Sequence, residues 1–291
     1  MNELIQKFEF HLKSDKHASD NTVCSYISDI SKFVCFTNSK LEKISERSIK
    51  QYISHIQRAG KSPSTTNRTL ASLRAFCSFL VTIGILSESP MINIKSVKEK
   101  KSLPRTLTSE EVDLFLSQPK CDSLKGCRDR AMLELLYATG IRVSELVSLN
   151  LDDINTNVGF IRCKSESSER LIPLHQTAVL AIDNYIKTTR PLLLNSRMEK
   201  ALFVNLNGTR ITRQGFWKII KFYQQEAKIK TDITPHTLRH SFALHLLEKG
   251  ADLSTIKEIL GYSDATSASV YAQLIKESFE NSYIKLHPRA Q

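Results

Sequence analysis

Between Leu4 and Leu86 apolar residues return every three or four positions, as in Ile5-Phe8-Leu12, Tyr26-Ile30-Phe33 and Leu70-Leu73-Phe76-Leu80, with polar residues between them. That spacing keeps one face of a helix apolar turn after turn, so the stretch reads as an all-helical bundle. The periodicity is lost from Ile94 to Pro104, a lysine-rich segment whose closing proline disfavours helix in the residue before it. The pattern therefore predicts a helical domain over 1–94, a linker over 95–106 and a second domain over 107–291. The second domain opens on a helix, because the Thr108 hydroxyl can cap its first turn while Glu111 closes a capping box ahead of Val112-Leu114-Phe115.

Further along, Asp129 to Leu149 reads as helix broken at Thr139-Gly140, where glycine can take the positive φ that ends one helix before the next begins. Arg142 then stands just beyond the break. Two short β-prone runs, Val158 to Cys163 and Arg170 to Leu174, flank polar Lys164 to Glu169 and predict a hairpin with Lys164 at its tip. Helices are expected at about 177–189, 213–227, 238–248 and 253–260, the last two stopped by Gly250 and Gly261. The expected fold is mainly α: a helical bundle, then a larger α+β domain with a small antiparallel sheet.

Composition narrows the class. With 291 residues, 41% of them apolar and 24% charged, the chain can bury two cores and is neither fibrous nor low in complexity. No run of about 18 apolar residues occurs and the N-terminus lacks the pattern of a secretory leader, so a cytoplasmic protein without a membrane partner is expected. Cys24, Cys35, Cys77, Cys121, Cys127 and Cys163 form no C-x-x-C pair, which argues against a zinc site or disulfide framework and for small apolar fillers. The formal net charge of +11 points to a polyanionic partner. Residues 1–106 hold 17 basic against 9 acidic side chains, so most of the excess lies in the N-terminal third. On charge alone, a surface that merely keeps the protein soluble explains the same numbers.

Candidate chemistry lies in three stretches: Ala138-Thr139-Gly140-Ile141-Arg142-Val143-Ser144-Glu145-Leu146, then Thr234-Pro235-His236-Thr237-Leu238-Arg239-His240-Ser241-Phe242, then Leu260-Gly261-Tyr262 with Tyr271 beyond. In this order they resemble the signature boxes of the tyrosine recombinase (phage integrase) family. The resemblance takes in the helical N-terminal domain with Ser64-Thr65-Thr66-Asn67-Arg68 and an ending, Leu286-His287-Pro288-Arg289, typical of Xer-type site-specific recombinases. It implies a helical DNA-binding domain joined to a catalytic domain that cuts and rejoins DNA through a bond between Tyr271 and a DNA phosphate.

The residue types suit that chemistry. A phosphate under attack gathers negative charge, which planar, permanently charged guanidinium groups can grip, and Arg142 and Arg239 would do so. His236 lies three residues before Arg239, near a helix start, so both can face one phosphate, and imidazole can share a proton near neutral pH. A tyrosine hydroxyl with an ordinary pKa of about 10 needs cationic neighbours and a base before it attacks. By resemblance Lys164 is the general acid for the departing 5′-hydroxyl. The stored phosphotyrosyl bond makes ATP and metal unnecessary, and neither a phosphate-binding glycine loop nor an acidic metal cluster is visible. Two departures stand out: Tyr262 occupies a position where relatives usually carry His or Trp, and Ser165 to Glu169 replaces the usual glycine-rich hairpin. A phenol can donate one hydrogen bond to a phosphate oxygen but cannot carry positive charge.

Each residue taken alone has a plainer explanation. An arginine three positions from a glutamate, as Arg142 is from Glu145, is most often its ion-pair partner. His240 and His245 are better assigned to packing, and Tyr262 and Tyr271 singly read as amphipathic packing residues. Asn67, Arg68 and Arg74 lie on the polar side of the helix holding Leu70, Leu73 and Phe76, where DNA contact and a solvated face explain them equally well. Lys98, Lys100 and Lys101 suit phosphate contacts or simple solvation.

By resemblance the partners are a double-stranded recombination site, a homo- or hetero-tetramer spanning two such sites with the segment Phe279 to Leu286 docking on a neighbour, a second Xer-type recombinase and a division-linked DNA translocase. Chromosome dimer resolution is the implied duty. A mobile-element integrase or relaxing enzyme of the same chemistry, a catalytically silent DNA-binding homologue and a metal-dependent nuclease remain alternatives.

Overall fold

The computed structural model describes residues 2–38, 44–98, 104–164, 169–195 and 199–261. The chain divides into two compact units, residues 1–101 and 102–291.

The first unit is built from α1 (Asn2–Ser14), α2 (Asp20–Phe36), α3 (Glu46–Arg58) and α4 (Pro63–Thr82). Serines start three of them. Ser19, Ser45 and Ser62 each accept a backbone N–H of the first turn, and Pro63 follows Ser62 where a missing N–H costs nothing. The predicted apolar faces meet in one core, with Phe8, Ile30, Phe33, Leu70, Leu73 and Phe76 fully buried. One polar tie crosses it. Buried Asp29 on α2 accepts Arg68 Nε and Nη2 (3.2 and 3.0 Å) and Ser72 Oγ (3.2 Å) from α4.

The chain after α4 stays attached to this unit further than its loss of periodicity suggests. Asn67 donates to the Val97 carbonyl (3.0 Å) and accepts the Val97 N–H (2.8 Å), while Arg74 donates to the Ile94 carbonyl (2.7 Å). Residues 94–97 therefore dock on α4 although they form no helix.

In the second unit Leu107 is tied to a distant stretch of chain before the first helix: Ser241 Oγ accepts its N–H (2.8 Å) and its carbonyl lies 3.0 Å from His245 Nε2. The predicted Thr108–Glu111 capping box then opens α5 (Ser109–Leu116). Helix α6 (Leu124–Thr139) is buried on nearly every side because it runs through the middle of the core, with Ala131, Met132, Leu133, Leu135 and Leu136 fully buried. Its buried Arg128 pairs with Asp129 (2.6 Å), which also accepts the Tyr223 hydroxyl at 3.2 Å.

Gly140 ends α6 at φ +58, and a side chain there would also meet Phe242 and Leu260, so both conformation and space demand glycine. Helix α7 (Val143–Ser148) follows directly. The expected hairpin is β2 (Phe160–Lys164) paired antiparallel with β3 (Glu169–Pro173), and the sequence pattern missed β1 (Ile154–Asn155) on its outer side.

The expected helix over 177–189 is α8 (Gln176–Asn184), which widens into a π turn over Tyr185–Thr189 before α9 (Arg190–Leu193). Then come α10 (Arg213–Glu226), α11 (Pro235–Glu248) and α12 (Leu253–Leu260). Helix α11 starts three residues earlier than predicted, since Thr234 caps it and Pro235 fits its first position.

The architecture is thus mainly α with a small antiparallel sheet in the second unit, as expected. The cysteines are not all the small apolar fillers expected. Cys77, Cys127 and Cys163 are buried fillers, but Cys24, Cys35 and Cys121 are exposed. Among the described residues no helix is long and apolar enough to cross a membrane.

Candidate active site

The break at Gly140 and the end of α12 lie against each other, and this juxtaposition builds the site. Three successive carbonyls at the end of α12 each accept a guanidinium. Ile259 receives Arg170 Nε (2.8 Å), Leu260 receives Arg239 Nη2 (2.7 Å) and Gly261 receives Arg142 Nη2 (3.4 Å). Carbonyls at a helix C-terminus have no partner within the helix and carry the negative end of its dipole, so cations settle there. Arg239 also donates to the Gly140 carbonyl, which ties α6, α11 and α12 together through one buried side chain.

Arg142 precedes α7 in extended conformation, and its N–H is held by Glu145 Oε2 at 2.7 Å. Its side chain is 41% exposed, with Nη1 3.6 Å from Glu145 Oε1. The ion pair expected from their spacing is present but loose. Glu145 is bound more closely by Arg170, at 2.8 and 3.0 Å from its two carboxylate oxygens. Burial by itself would raise the Glu145 pKa. The Arg170 hydrogen bonds, the Arg142 backbone N–H and the charges of both arginines outweigh burial and hold the carboxyl below its ordinary range.

Arg142, His236 and Arg239 line one cleft of about 520 Å³. His236 is exposed on the first turn of α11, one turn before the buried Arg239. Among the described residues no carboxylate lines the cleft; Arg213 and Trp217 from α10, with Ser144 and Thr234, complete much of the wall. Lys221, one turn beyond Trp217, lies 4.9 Å over the indole ring and bonds Asp232 and the Ile233 carbonyl (2.7 Å) just ahead of the α11 cap. Helix α10 thereby steadies the start of α11 beside His236.

Not all predicted residues meet there. Lys164 ends β2, is 58% exposed, and pairs with Asp153 at 3.1 Å; it is not among the side chains lining the cleft. Tyr262, Tyr271, Lys100, Lys101, the hairpin loop from 165 to 168, the segment Phe279 to Leu286 and the Xer-like ending lie outside the described residues. Asn67, Arg68 and Arg74 are engaged inside their own unit, as described above, although Arg68 remains exposed along one side.

His245 has the packing role its surroundings suggested, with Tyr137 Oη 2.8 Å from its Nδ1. Burial, then the charges of His236 and Arg239, push His240 down to about 4, so it is neutral at physiological pH. Among the described residues no group of three or more His, Cys, Asp or Glu side chains is placed to hold a metal ion.

Sequence reasoning missed Arg170, Arg213 and Trp217. Arg170 left a signal. Strand alternation puts it on the same side of β3 as buried Ile172, while Leu171 faces solvent. An arginine on the inner face requires a buried partner.

Residues 105–278, a span that includes Arg142, Lys164, His236, Arg239, Tyr262 and Tyr271, match the phage integrase family, and residues 5–84 match the phage integrase N-terminal SAM-like domain. The chain belongs to the phage integrase family of tyrosine recombinases.

It is 42% identical over 293 residues to the tyrosine recombinase XerD of Oceanobacillus iheyensis, covering 98% of each chain. It is 40% identical over 297 residues to the tyrosine recombinase XerD of Listeria innocua, covering 100% of each. Among solved structures, the XerH site-specific recombinase bound to palindromic difH substrate superposes with a TM-score of 0.77 at 22% identity, over 96% of this chain and 84% of that one. A lambda integrase dimer bound to a COC′ core site gives 0.73 at 19% identity, over 93% of this chain and 76% of that one. At these identities the two structures share its fold.

Proposed function

We propose that the chain is a site-specific DNA recombinase that cleaves and rejoins a DNA strand through a 3′-phosphotyrosyl bond to Tyr271. The observation that carries this reading is the convergence of Arg142, His236 and Arg239, from separate stretches of chain, on one cleft that no carboxylate lines among the described residues. Two guanidinium groups fixed against helix-end carbonyls form a preorganised cationic seat for a phosphate under attack, with little reorganisation left to the moment of reaction.

In this scheme the Tyr271 oxygen attacks phosphorus and the bond to the 5′ oxygen breaks. His236 accepts or shares the phenolic proton, and Lys164 supplies a proton to the departing 5′-hydroxyl. Asp153 at 3.1 Å holds that ammonium on the hairpin until DNA arrives. Rejoining reverses these transfers with the 5′-hydroxyl of the partner strand as nucleophile. One phosphodiester-type bond is exchanged for another at each step, so ATP is not consumed. The residues match this chemistry without a metal. Tyr262 follows Gly261 directly, and in this scheme its phenol donates one hydrogen bond to a phosphate oxygen.

The substrate is a duplex recombination site, with four protomers, alike or of two Xer-type kinds, acting on two sites. A lambda integrase tetramer bound to a Holliday junction is one of the solved relatives of the same fold. Full-length similarity to proteins named XerD favours a chromosomal duty, dimer resolution in concert with a division-linked DNA translocase, over a mobile element. Asn67 and Arg74 serve this scheme by shaping the N-terminal unit, and Arg68, the most exposed of the three, is the one best placed to meet DNA.

The test is to incubate the protein with genomic DNA of its source, stop with denaturant, and map covalently bound ends. Adducts are expected at a defined sequence, on a 3′ phosphate, unaffected by chelator and absent from Tyr271→Phe, which still binds DNA. Adducts that persist in that variant, or cleavage that disappears with chelator, refute the reading.

A further inference from the structure

Glu145 is shared unequally. Arg170 holds both of its oxygens at 2.8 and 3.0 Å, while the Arg142 guanidinium stands off at 3.6 Å and remains partly exposed to the cleft. The Arg170 side chain is 10% exposed and the Glu145 side chain 7%, so this pair is sheltered from solvent whereas Arg142 is not. A sheltered carboxylate without its close partner would draw in the nearest cation, because an unpaired buried charge is far costlier than a paired one. The nearest candidate is the Arg142 guanidinium, on the same short helix and already within ion-pair range. Glu145 cannot simply leave, since its Oε2 also holds the Arg142 N–H at the start of α7.

We propose that Arg170 is a positioning residue for strand cleavage: by occupying Glu145 it keeps the Arg142 guanidinium available to the DNA phosphate. Its Nε bond to the Ile259 carbonyl fixes the guanidinium at the same helix end that Arg142 and Arg239 contact, so the three cations are spaced by one piece of backbone. Gly261 belongs to the arrangement. At φ +63 it leaves room for Arg170, whose Nη1 would stand 2.9 Å from any Cβ there. The opposite face of the hairpin carries Lys164, so Arg170 acts on the phosphate grip and not on protonation of the leaving group. This inference rests on the recombinase reading above.

The experiment uses the full chain and a nicked duplex carrying the cleavage site mapped as described, with adduct formation measured per protein bound. Arg170→Met is expected to form adduct at least about tenfold more slowly, a fraction of the hundred- to thousand-fold that outright loss of a charge-stabilising donor costs. Adding Glu145→Gln to Arg170→Met is expected to recover most of that rate, because a neutral amide no longer captures Arg142 yet can still accept its N–H.

Recovery by a second lesion is something a purely structural role does not produce. If Arg170→Met folds poorly, as shown by its melting curve, Arg170→Lys serves instead: its ammonium keeps a charge beside Glu145 but loses the two-pronged grip and the Nε bond to Ile259, so a rate between those of the parent and Arg170→Met is expected. An unchanged rate in Arg170→Met overturns the proposal. So does a double variant no faster than Arg170→Met, or a lysine variant as slow as the methionine one. The parent protein with no Tyr271-dependent adduct would sink the recombinase reading itself, a separate result.

Discussion

Replacing Gly140 by alanine loads two costs on one position. The residue sits at φ +58, where an L side chain costs roughly 1–2 kcal/mol. A Cβ there would also stand 2.4 Å from Phe242 Cδ1 and 2.8 Å from Leu260 Cδ2, both on fully or nearly fully buried side chains with little room to move. Overpacking of that kind costs about 1–3 kcal/mol, so the total is about 2–5 kcal/mol. That is a large share of the 5–15 kcal/mol typical of a folded domain.

Gly250 provides the control. It closes α11 at φ +94 with nothing within 4 Å, so Gly250→Ala carries the backbone cost without the clash. Urea unfolding of both variants should place Gly140→Ala below Gly250→Ala by about 1–3 kcal/mol at unchanged slope. The same substitution should slow adduct formation at temperatures where the protein is folded, because the Gly140 carbonyl accepts Arg239 and Arg142 follows two residues on. Equal stabilities for the two variants, within about 0.5 kcal/mol, would refute the packing argument.

Two further outcomes test other parts of the site. Lys164→Met should lower adduct formation by about a hundred- to ten-thousand-fold on ordinary DNA and regain most of it when the 5′ bridging oxygen is sulfur, since a thiolate leaves without a proton; no regain would remove Lys164 as the acid. His240, held down to about 4 against an ordinary value near 6.5, contributes stability that is present above about pH 6.5 and lost as pH falls toward 4. His240→Asn should flatten the pH dependence of the melting temperature in that window, and an unaltered slope would show that the imidazole is not what titrates.

The fold was legible where local chemistry decides it. The Thr108–Glu111 box, the glycine stop at Gly140 and the apolar spacing around Leu70 and Leu73 each specify a turn or face through neighbours a few residues away, and the structure follows them. Boundaries slipped where a capping threonine and a first-turn proline start a helix ahead of its apolar run, as at Thr234-Pro235, and where a two-residue strand such as β1 has too few positions to show alternation. The cleft residues Arg142, His236 and Arg239 were legible because phosphate chemistry demands those side chains and they stand in recognisable boxes. Asn67, Arg68 and Arg74 were not, because a polar helix face looks the same whether it meets water, a phosphate or its own chain.

From the amino-acid sequence alone came the helical bundle, the mainly helical second unit with its hairpin, the family and the cations offered to a phosphate. Only the tertiary structure decided which cation Glu145 holds closely and which it holds loosely. The physical reason is that the decisive acceptors are the backbone carbonyls of Ile259, Leu260 and Gly261, groups every residue possesses. Such acceptors carry no signature in residue type, and they acquire a role only when folding brings a helix end and three distant arginines together.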